Sequence, residues 1–285
     1  MKPLTRENWL EAHTYLQPVA KLCAEVERKA ADIQIGSPEI PSWEDYSGDF
    51  QEGIPLLQSS CARIDLEAIG RAAVSLVHKL ASESSSKRIA AEASALDAGL
   101  RREPDAPRRI VAWLLGDDSF HTPSPGLLRY LGWTVAARYL LPVRTAFDRW
   151  RDEDRWMRNY CPTCGSAPAM AQLVGMDQGR KRLLACGRCG TRWLFKRTEC
   201  PFCANDPQRL AVLSVEGEAG LRIDYCESCK GYLKTYAGEG NESLLLSDWS
   251  SLHLDLLAHD RGLKRVAASL YELEPLLAPL EAPRR

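Results

Sequence analysis

The apolar positions in the first half of the chain recur at helical spacing. Between Thr5 and Ile33 apolar side chains return every three or four residues, the period of one face of an α-helix. Further helical patterns cover residues 65–82, 85–100, 107–115 and 125–160, the last interrupted near Pro142. No alternating, strand-like pattern competes with them. We therefore predict an all-α domain over residues 1–157.

The stretch between the first two helical patterns, Gly36–Gly53, is rich in Gly, Pro and Ser and predicts a long loop. Its aromatic residues are Trp43 and Tyr46. The hypothesis that follows is that this loop exposes two aromatic rings and that the helical half supplies the main surface for a partner protein.

After residue 157 the pattern changes to short apolar runs separated by glycine. Met170–Leu184 and Leu210–Tyr225 each predict a β-hairpin. Beyond them, Ser247 is a candidate cap for a helix rich in leucine, and Gly262 separates it from a second helical pattern, Leu263–Leu276. We predict a multi-domain chain with the α-helical domain at 1–157, two small β modules at 158–198 and 199–240, and a C-terminal helical segment at 241–285.

Eight of the ten cysteines form four Cys-x-x-Cys pairs inside the two predicted β modules. Two intervening residues let a tight turn aim both sulfurs at one ion, and a second such turn completes a tetrahedron. The pattern predicts two four-thiolate metal sites. Their ligands are Cys161, Cys164, Cys186, Cys189, Cys200, Cys203, Cys226 and Cys229.

The four pairs are also an internal repeat. The step from Cys161 to Cys200 is 39 residues and that from Cys186 to Cys226 is 40. We therefore assign the first two pairs to one site and the last two to the other, although crossed pairings remain open. Each site resembles a rubredoxin-type iron site or a zinc ribbon, and spacing does not choose between iron and zinc.

A closed four-thiolate site favours a structural role, because reactive zinc usually keeps an open position. A module of about 40 residues is too short to build an adequate core alone. We therefore expect loss of one ligand pair to unfold its module, and Cys161→Ser or Cys200→Ser to remove about one equivalent of metal while the other site is retained. A disulfide framework is the alternative, but it suits short secreted chains. Cys23 and Cys61 are expected to be buried hydrophobic residues.

Composition describes an ordinary globular protein of 285 residues, 45% apolar, with a net charge of −1. No apolar run approaches the roughly 18 residues of a membrane span, and the segment from Met1 to His13 has no apolar export signal. We expect no membrane insertion, and reduced thiols then indicate the cytoplasm.

Sequence motifs for catalysis are missing: there is no G-x-S-x-G, H-E-x-x-H, P-loop or dinucleotide fingerprint. The five histidines include two in the C-terminal segment, His253 and His259, which fall on different helical faces and are expected at the surface. No small-molecule substrate is evident. We predict that the protein is not an enzyme.

The metal region resembles the formate dehydrogenase accessory protein family, FdhE. The resemblance rests on the segment Tyr160–Pro168, on Gln178-Gly179-Arg180, and on the order of all four cysteine pairs. It continues through Tyr232-Leu233-Lys234 and Ser251–Leu257, so that it covers residues 158–257. The segment Lys264–Ser269 departs from it, because it lacks the Asn-Pro ending associated with the family.

The resemblance implies a cytoplasmic maturation factor that binds the catalytic subunit of a respiratory, molybdenum-dependent formate dehydrogenase before its export. It also implies a rubredoxin-like metal centre on the eight paired cysteines. If the departing tail contacts the partner, the choice of partner differs in this chain.

Two other functions remain open from spacing alone. One is a nucleic-acid-binding regulator, because residues 161–198 carry a net charge of +6, against −2 for 199–236, and place Trp193 and Phe195 among basic residues. The resemblance makes nucleic acid a less expected partner. The other is a rubredoxin-like electron carrier, which requires iron, because zinc has no redox chemistry.

Overall fold

The computed structural model describes residues 4–117, 119–150, 156–176, 179–204, 209–218 and 220–271. The helices, in chain order, are α1 (Arg6–Ala12), α2 (Gln17–Ala31), α3 (Trp43–Glu52), α4 (Leu66–Glu83), α5 (Lys87–Leu100), α6 (Ala106–Leu114), α7 (Pro125–Tyr139), α8 (Leu141–Trp150) and, after a single turn at Glu242–Leu245, α9 (Leu252–Asp260). The strands are β1 (Met170–Val174), β2 (Lys181–Ala185), β3 (Arg192–Phe195), β4 (Leu210–Ser214), β5 (Leu221–Cys226), β6 (Gly231–Ala237) and β7 (Lys264–Arg265).

These elements belong to two compact units, each assembled from separated segments. One unit comprises Met1–Leu16, Glu39–Ile64 and Pro142–Ser269, and it contains every described strand. The other comprises Gln17–Pro38, Asp65–Leu141 and Leu270–Arg285. The protein is therefore a mixed helix and sheet fold, and the predicted four-domain division stays a prediction.

The helical unit is built around α4. This helix packs against α2, α5, α6 and α7, and its side chains Leu76, Val77 and Leu80 have no exposed surface. The Asp65 carboxylate caps it by accepting the Ala68 amide hydrogen. The helical patterns predicted at 65–82, 85–100 and 107–115 are confirmed, and the pattern predicted at 125–160 is confirmed as far as Trp150, including the break next to Pro142. Residues 151–155 lie outside the described part of the chain, and the prediction is wrong for residues 157–160, which are not helical.

The predicted loop Gly36–Gly53 is wrong over most of its length, because it contains α3. Ser42 caps this helix, and Gly53 ends it with φ of 84°. Tyr46 and Phe50 are 0% and 1% exposed, whereas Trp43 is half-buried. The expectation that this segment exposes the Tyr46 ring is therefore wrong. The signal was present in the sequence: aromatic residues three and four positions apart between a Ser cap and a Gly stop.

The strands form one sheet with the order β3-β2-β1-β6-β5-β4, and β7 pairs with β6. The two predicted hairpins are confirmed as β1–β2 and β4–β5, both antiparallel. The sequence did not predict that β1 and β6 pair in parallel, from Met170 opposite Lys234 to Leu173 opposite Ala237. This pairing joins the strands of the two cysteine modules into one sheet.

The helix predicted at Leu263–Leu276 is wrong for its described part, residues 263–271. The chain bends at Gly262 and forms β7, whose Lys264 amide donates a hydrogen bond to the Lys230 carbonyl at 2.7 Å. Residues 272–276 lie outside the described part of the chain. Among the described helices, none combines the length and apolar character needed to cross a bilayer.

Candidate metal centres

The first candidate centre brings together Cys161, Cys164, Cys186 and Cys189. Their sulfur atoms all lie within 4.8 Å of one another. The Sγ atoms of Cys161 and Cys189 are 3.5 Å apart, as are those of Cys164 and Cys186. All four side chains are buried.

The second centre repeats this arrangement with Cys200, Cys203, Cys226 and Cys229. The Sγ atoms of Cys200 and Cys229 are 3.7 Å apart, and so are those of Cys203 and Cys226. The structure thus groups the cysteines as the spacing predicted, not in the crossed arrangement.

These distances fit a metal ion and not a disulfide framework. A tetrahedron with metal–sulfur bonds of about 2.3 Å has sulfur–sulfur edges of about 3.8 Å, close to the observed distances. A disulfide needs about 2.05 Å between sulfurs, well short of the 3.5–3.7 Å between the sulfurs of each pair described above. Four thiolates at this spacing are the donor set of zinc and of rubredoxin-type iron.

The loops of all four cysteine pairs have the same backbone geometry. In each loop the residue after the second cysteine donates its amide hydrogen to the carbonyl of the first cysteine, at 2.8–3.1 Å. The same residue has a left-handed backbone. These residues are Gly165, Gly190, Ala204 and Lys230, with φ of 75°, 74°, 55° and 61°.

The segment after α3 supports the first of these loops. The amides of Leu56 and Leu57 donate hydrogen bonds to the carbonyls of Pro162 and Thr163, at 2.8 and 2.9 Å. A Cβ atom on Gly165 would lie 2.8 Å from Gln58 Nε2. The neighbouring backbone therefore holds this loop in place, in addition to any metal ion that its sulfur atoms bind.

Electrostatics favours a cation in both clusters. Burial raises the pKa of Cys161 well above its ordinary value, and it raises the pKa of Cys200 to about 12. Burial also acts to raise the pKa of Cys226, but hydrogen bonds from the backbone amides of Cys229 and Ser228 bring it down to about 7. A divalent ion would stabilise the thiolate forms that burial disfavours.

The two centres differ in their access to solvent. In the second, Cys203 is exposed and Cys229 is half-buried, whereas every cysteine of the first is buried. The remaining cysteines lie apart from both centres. Cys23 is 1% exposed, as predicted, while Cys61 is only half-buried and its sulfur lies 2.8 Å from the Ser59 hydroxyl oxygen.

Trp193 and Phe195, the two aromatic residues among the basic residues of the first module, do not form a surface for stacking bases. Trp193 is 1% exposed and donates its indole hydrogen to the Arg158 carbonyl at 2.9 Å. Phe195 is 6% exposed and lies beneath the Arg182 guanidinium. Because stacking needs an accessible ring face, this geometry disfavours the nucleic-acid surface considered from sequence.

Sequence reasoning missed a buried ionic network beside the second module. Lys234, with no exposed side-chain surface, contacts Asp248 Oδ1 at 2.6 Å and Asp255 Oδ2 at 2.8 Å. Arg265 contacts the same two carboxylates at 2.6 and 2.9 Å. No local motif marks these residues, since they lie on β6, on β7 and around α9. Of the two histidines predicted at the surface, His259 has a side chain that is 89% exposed, whereas that of His253 is only 12% exposed.

Comparison with known proteins finds a family model that matches part of this chain. Residues 160–197 match the family model described as the FdhE central domain, a region that holds the first cysteine cluster and the strands β1, β2 and β3. The predicted resemblance to the FdhE family is confirmed. The match covers the first module, and the other comparisons extend it along the chain.

Curated relatives carry the same family name. The FdhE homologue of Aquifex aeolicus is 33% identical over 134 residues, which is 45% of this chain and 47% of that protein. The homologue of Stutzerimonas stutzeri is 32% identical over 194 residues, 63% of this chain and 58% of that protein. The chain thus spans about half the length of these curated FdhE relatives.

A solved structure shows that the fold is shared over most of the chain. The crystal structure of the FdhE protein from Pseudomonas aeruginosa superposes with a TM-score of 0.59, covering 90% of this chain and 88% of that one at 23% identity. The superposed 90% of the chain includes residues of the helical unit and of the sheet-containing unit.

Proposed function

We propose that this chain is a cytoplasmic accessory protein that binds the catalytic subunit of a respiratory, molybdenum-dependent formate dehydrogenase and is needed to form the active enzyme. The observation that carries the proposal is the match of residues 160–197 to the FdhE central domain. The relatives named as FdhE homologues and the shared fold support it. In this role the protein acts through binding and not through catalysis.

We further propose that each cysteine cluster binds one iron or zinc ion through all four sulfurs. Four protein ligands leave no open coordination position, so the ion supplies structure and not substrate activation. The ion fixes the two cysteine loops of its module relative to each other. The left-handed residues and their amide hydrogen bonds set the conformation of each single loop. The ions then shape the surface that contacts the formate dehydrogenase catalytic subunit, but they form no bonds to that subunit.

Deletion of the gene in its native host tests the maturation role. We expect the deletion strain to make the formate dehydrogenase catalytic subunit but to lose most of its formate-oxidising activity, and the intact gene to restore that activity. Full activity in the deletion strain, with the subunit at its normal level, would show that the chain serves another process.

Complementation with matched cysteine variants tests the contribution of the first cluster. Cys161→Ser removes one of four buried sulfurs, so we expect it to lower bound metal by about one equivalent and to restore little formate-oxidising activity. Cys61→Ser is the control, because Cys61 lies outside both clusters and a hydroxyl can keep the contact with Ser59. If both variants restored formate-oxidising activity equally, metal binding at this cluster would not be required for maturation.

Direct binding is tested with purified proteins. The full-length chain should form a complex with the isolated catalytic subunit that survives size-exclusion chromatography, and it should oxidise no formate by itself. Migration of the two proteins as separate peaks at micromolar concentration would contradict direct binding, even if the deletion strain lacks activity.

A further inference from the structure

Three ionisable side chains from distant parts of the sequence meet outside the cysteine clusters. They are His13 at the end of α1, Glu218 in the turn between β4 and β5, and His253 in the first turn of α9. The Nε2 atoms of His13 and His253 lie 3.1 and 2.8 Å from one atom, Glu218 Oε1. The three side chains are 8%, 12% and 7% exposed for His13, His253 and Glu218.

The orientation of His13 suits a metal ligand. Its Nδ1 lies 2.9 Å from the Trp9 carbonyl oxygen, which can only accept a hydrogen, so Nδ1 carries one. In the neutral ring Nε2 then presents a lone pair to the cluster. A metal-binding histidine typically donates its other ring hydrogen to a carbonyl or carboxylate in this way. The Trp9 ring stacks on the imidazole at 3.9 Å and fixes its plane.

The cluster as it stands needs a positive charge at its centre. With neutral His13, the Nε2 lone pair faces a carboxylate oxygen, and two acceptors at 3.1 Å repel each other. In addition, Glu218 Oε2 and His253 Nδ1 are buried and have no hydrogen-bond partner among the residues that the structure describes. A buried polar atom left without a partner costs about 1–3 kcal/mol. The carboxylate therefore has a free oxygen available to a cation.

We propose that His13, Glu218 and His253 form a third metal site, for a divalent first-row transition ion such as zinc. Two imidazole nitrogens and one carboxylate are an established donor set for zinc, with water completing the tetrahedron. Bonds of about 2.1 Å place neighbouring ligand atoms about 3.4 Å apart, so the observed contacts need to widen by only a few tenths of an ångström. The ring of Tyr15, 57% exposed, contacts both imidazoles and marks the side open to solvent.

Such an ion would join three segments of the sheet-containing unit. It would connect the end of α1 to the β4–β5 turn and to α9, alongside the indole hydrogen bond from Trp9 to the Ser250 carbonyl at 3.0 Å. Its nitrogen and oxygen ligands distinguish it chemically from the four-sulfur centres.

Zinc counting on the full-length protein tests the proposal. After loading with excess zinc and removal of unbound metal, we expect the wild type to retain one equivalent more than its cysteine clusters hold. Glu218→Gln keeps the shape of the side chain and, like His253→Ala, should lose that equivalent while retaining the sulfur-bound metal. His259→Ala is the matched control, since His259 lies on the same helix with its side chain 89% exposed.

Cobalt substitution identifies the ligands of the extra equivalent. A nitrogen and oxygen site adds d–d absorption without the thiolate-to-metal charge transfer of the sulfur centres, and this added band should vanish in Glu218→Gln. Wild-type protein that retains metal only in its sulfur centres would overturn the proposal. So would an extra equivalent that persists in both the Glu218→Gln and His253→Ala variants, because it would then be bound elsewhere.

Discussion

The left-handed residues of the cysteine loops show how a single side chain affects a metal module. Two loops place glycine at this position, Gly165 and Gly190, whereas the other two place Ala204 and Lys230 there, with φ of 55° and 61°. A left-handed backbone costs a residue with a Cβ atom roughly 1–2 kcal/mol, while glycine adopts it readily. The second module therefore carries strain that the first does not.

Lys230→Gly should accordingly stabilise the second module. The Lys230 side chain is exposed, and we expect the relieved strain, less the entropy that glycine loses on folding, to raise the free energy of unfolding by about 0.5–1 kcal/mol. Fluorescence-monitored denaturant unfolding and hydrogen exchange of the β6 amides would measure this change in the free energy of unfolding. Lys230→Ala removes the same charge but keeps the strained backbone, so equal stabilisation by the two variants would assign the effect to charge instead.

The position of these residues was visible in the sequence, but their conformation was visible only in part. Glycine after a Cys-x-x-Cys pair is a recognisable feature of such loops, and it is present in the first module. Ala204 and Lys230 carry no such signal. Their backbone follows from the hydrogen bonds of the loop, which override the local preference of the residue type.

At the scale of elements, β6 is stabilised by the ionic network at its centre. Lys234 has no exposed surface and lies between the carboxylates of Asp248 and Asp255, which also bind Arg265 of β7. The hydroxyl of Tyr232 donates a further hydrogen bond to Asp255 Oδ1 at 2.6 Å. The network thus connects β6 to α9, to the turn before it and to β7.

Asp248→Asn should destabilise this part of the fold strongly. Removing one member of a buried ion pair leaves the other charge uncompensated, which typically costs about 3–5 kcal/mol. We expect the free energy of unfolding to fall by that amount, as measured from the rate of hydrogen exchange of the β6 amides. Asp260→Asn is the control, because its carboxylate is 78% exposed, and a comparable loss there would show that the network is not the cause.

The same network predicts a dependence of stability on acid. Burial acts to raise the pKa of Asp248, but the charges of Lys234 and Arg265 lower it to about 2. A carboxyl whose pKa is lower in the folded than in the unfolded chain stabilises the fold at pH values above its pKa in the unfolded chain, which is near 3.9. This contribution should therefore be lost as the pH falls from about 4 to about 2. Unfolding curves across that range should show the loss in wild type, and Asp248→Asn should lack this component.

Elements with local signals were predictable from the sequence, and those with distant partners were not. The hairpins β1–β2 and β4–β5 close within a few residues, so short apolar runs separated by glycine indicate them. The parallel pairing of β1 with β6 joins residues 64 positions apart, such as Met170 and Lys234, and no local pattern encodes it. The helix α3 was missed for another reason, since its Gly and Ser content obscured the helical spacing of its aromatic residues.

At the scale of the whole molecule, the cysteine clusters could be predicted because each ligand pair is local and the pairs repeat at nearly constant spacing. The cluster of His13, Glu218 and His253 could not, because its members are 205 and 35 residues apart and share no motif. The Lys234 network is hidden for the same reason. What a sequence reveals of a site thus depends on how many of its contacts lie within one turn or loop.

The joining of both modules in one sheet changes what metal loss should do. From sequence, loss of a ligand pair was expected to unfold its own module, since a module of about 40 residues lacks an adequate core. In the structure β6 has buried residues from Gly231 to Tyr236 and is paired with both β1 and β5, which gives the second module a core that does not depend on its ion. We therefore expect the sheet to persist when the more accessible second centre is emptied.

Chelation should then release metal in two phases. The second centre, with Cys203 exposed and Cys229 half-buried, should lose its ion first, and the buried first centre should follow much more slowly. After the first phase we expect β6 amides to keep their protection from hydrogen exchange. Cys203→Ser should lack the fast phase and Cys164→Ser the slow one. Release of both ions in a single phase together with loss of β6 protection would instead mean that the ions, and not the buried strand, hold the two modules in one sheet.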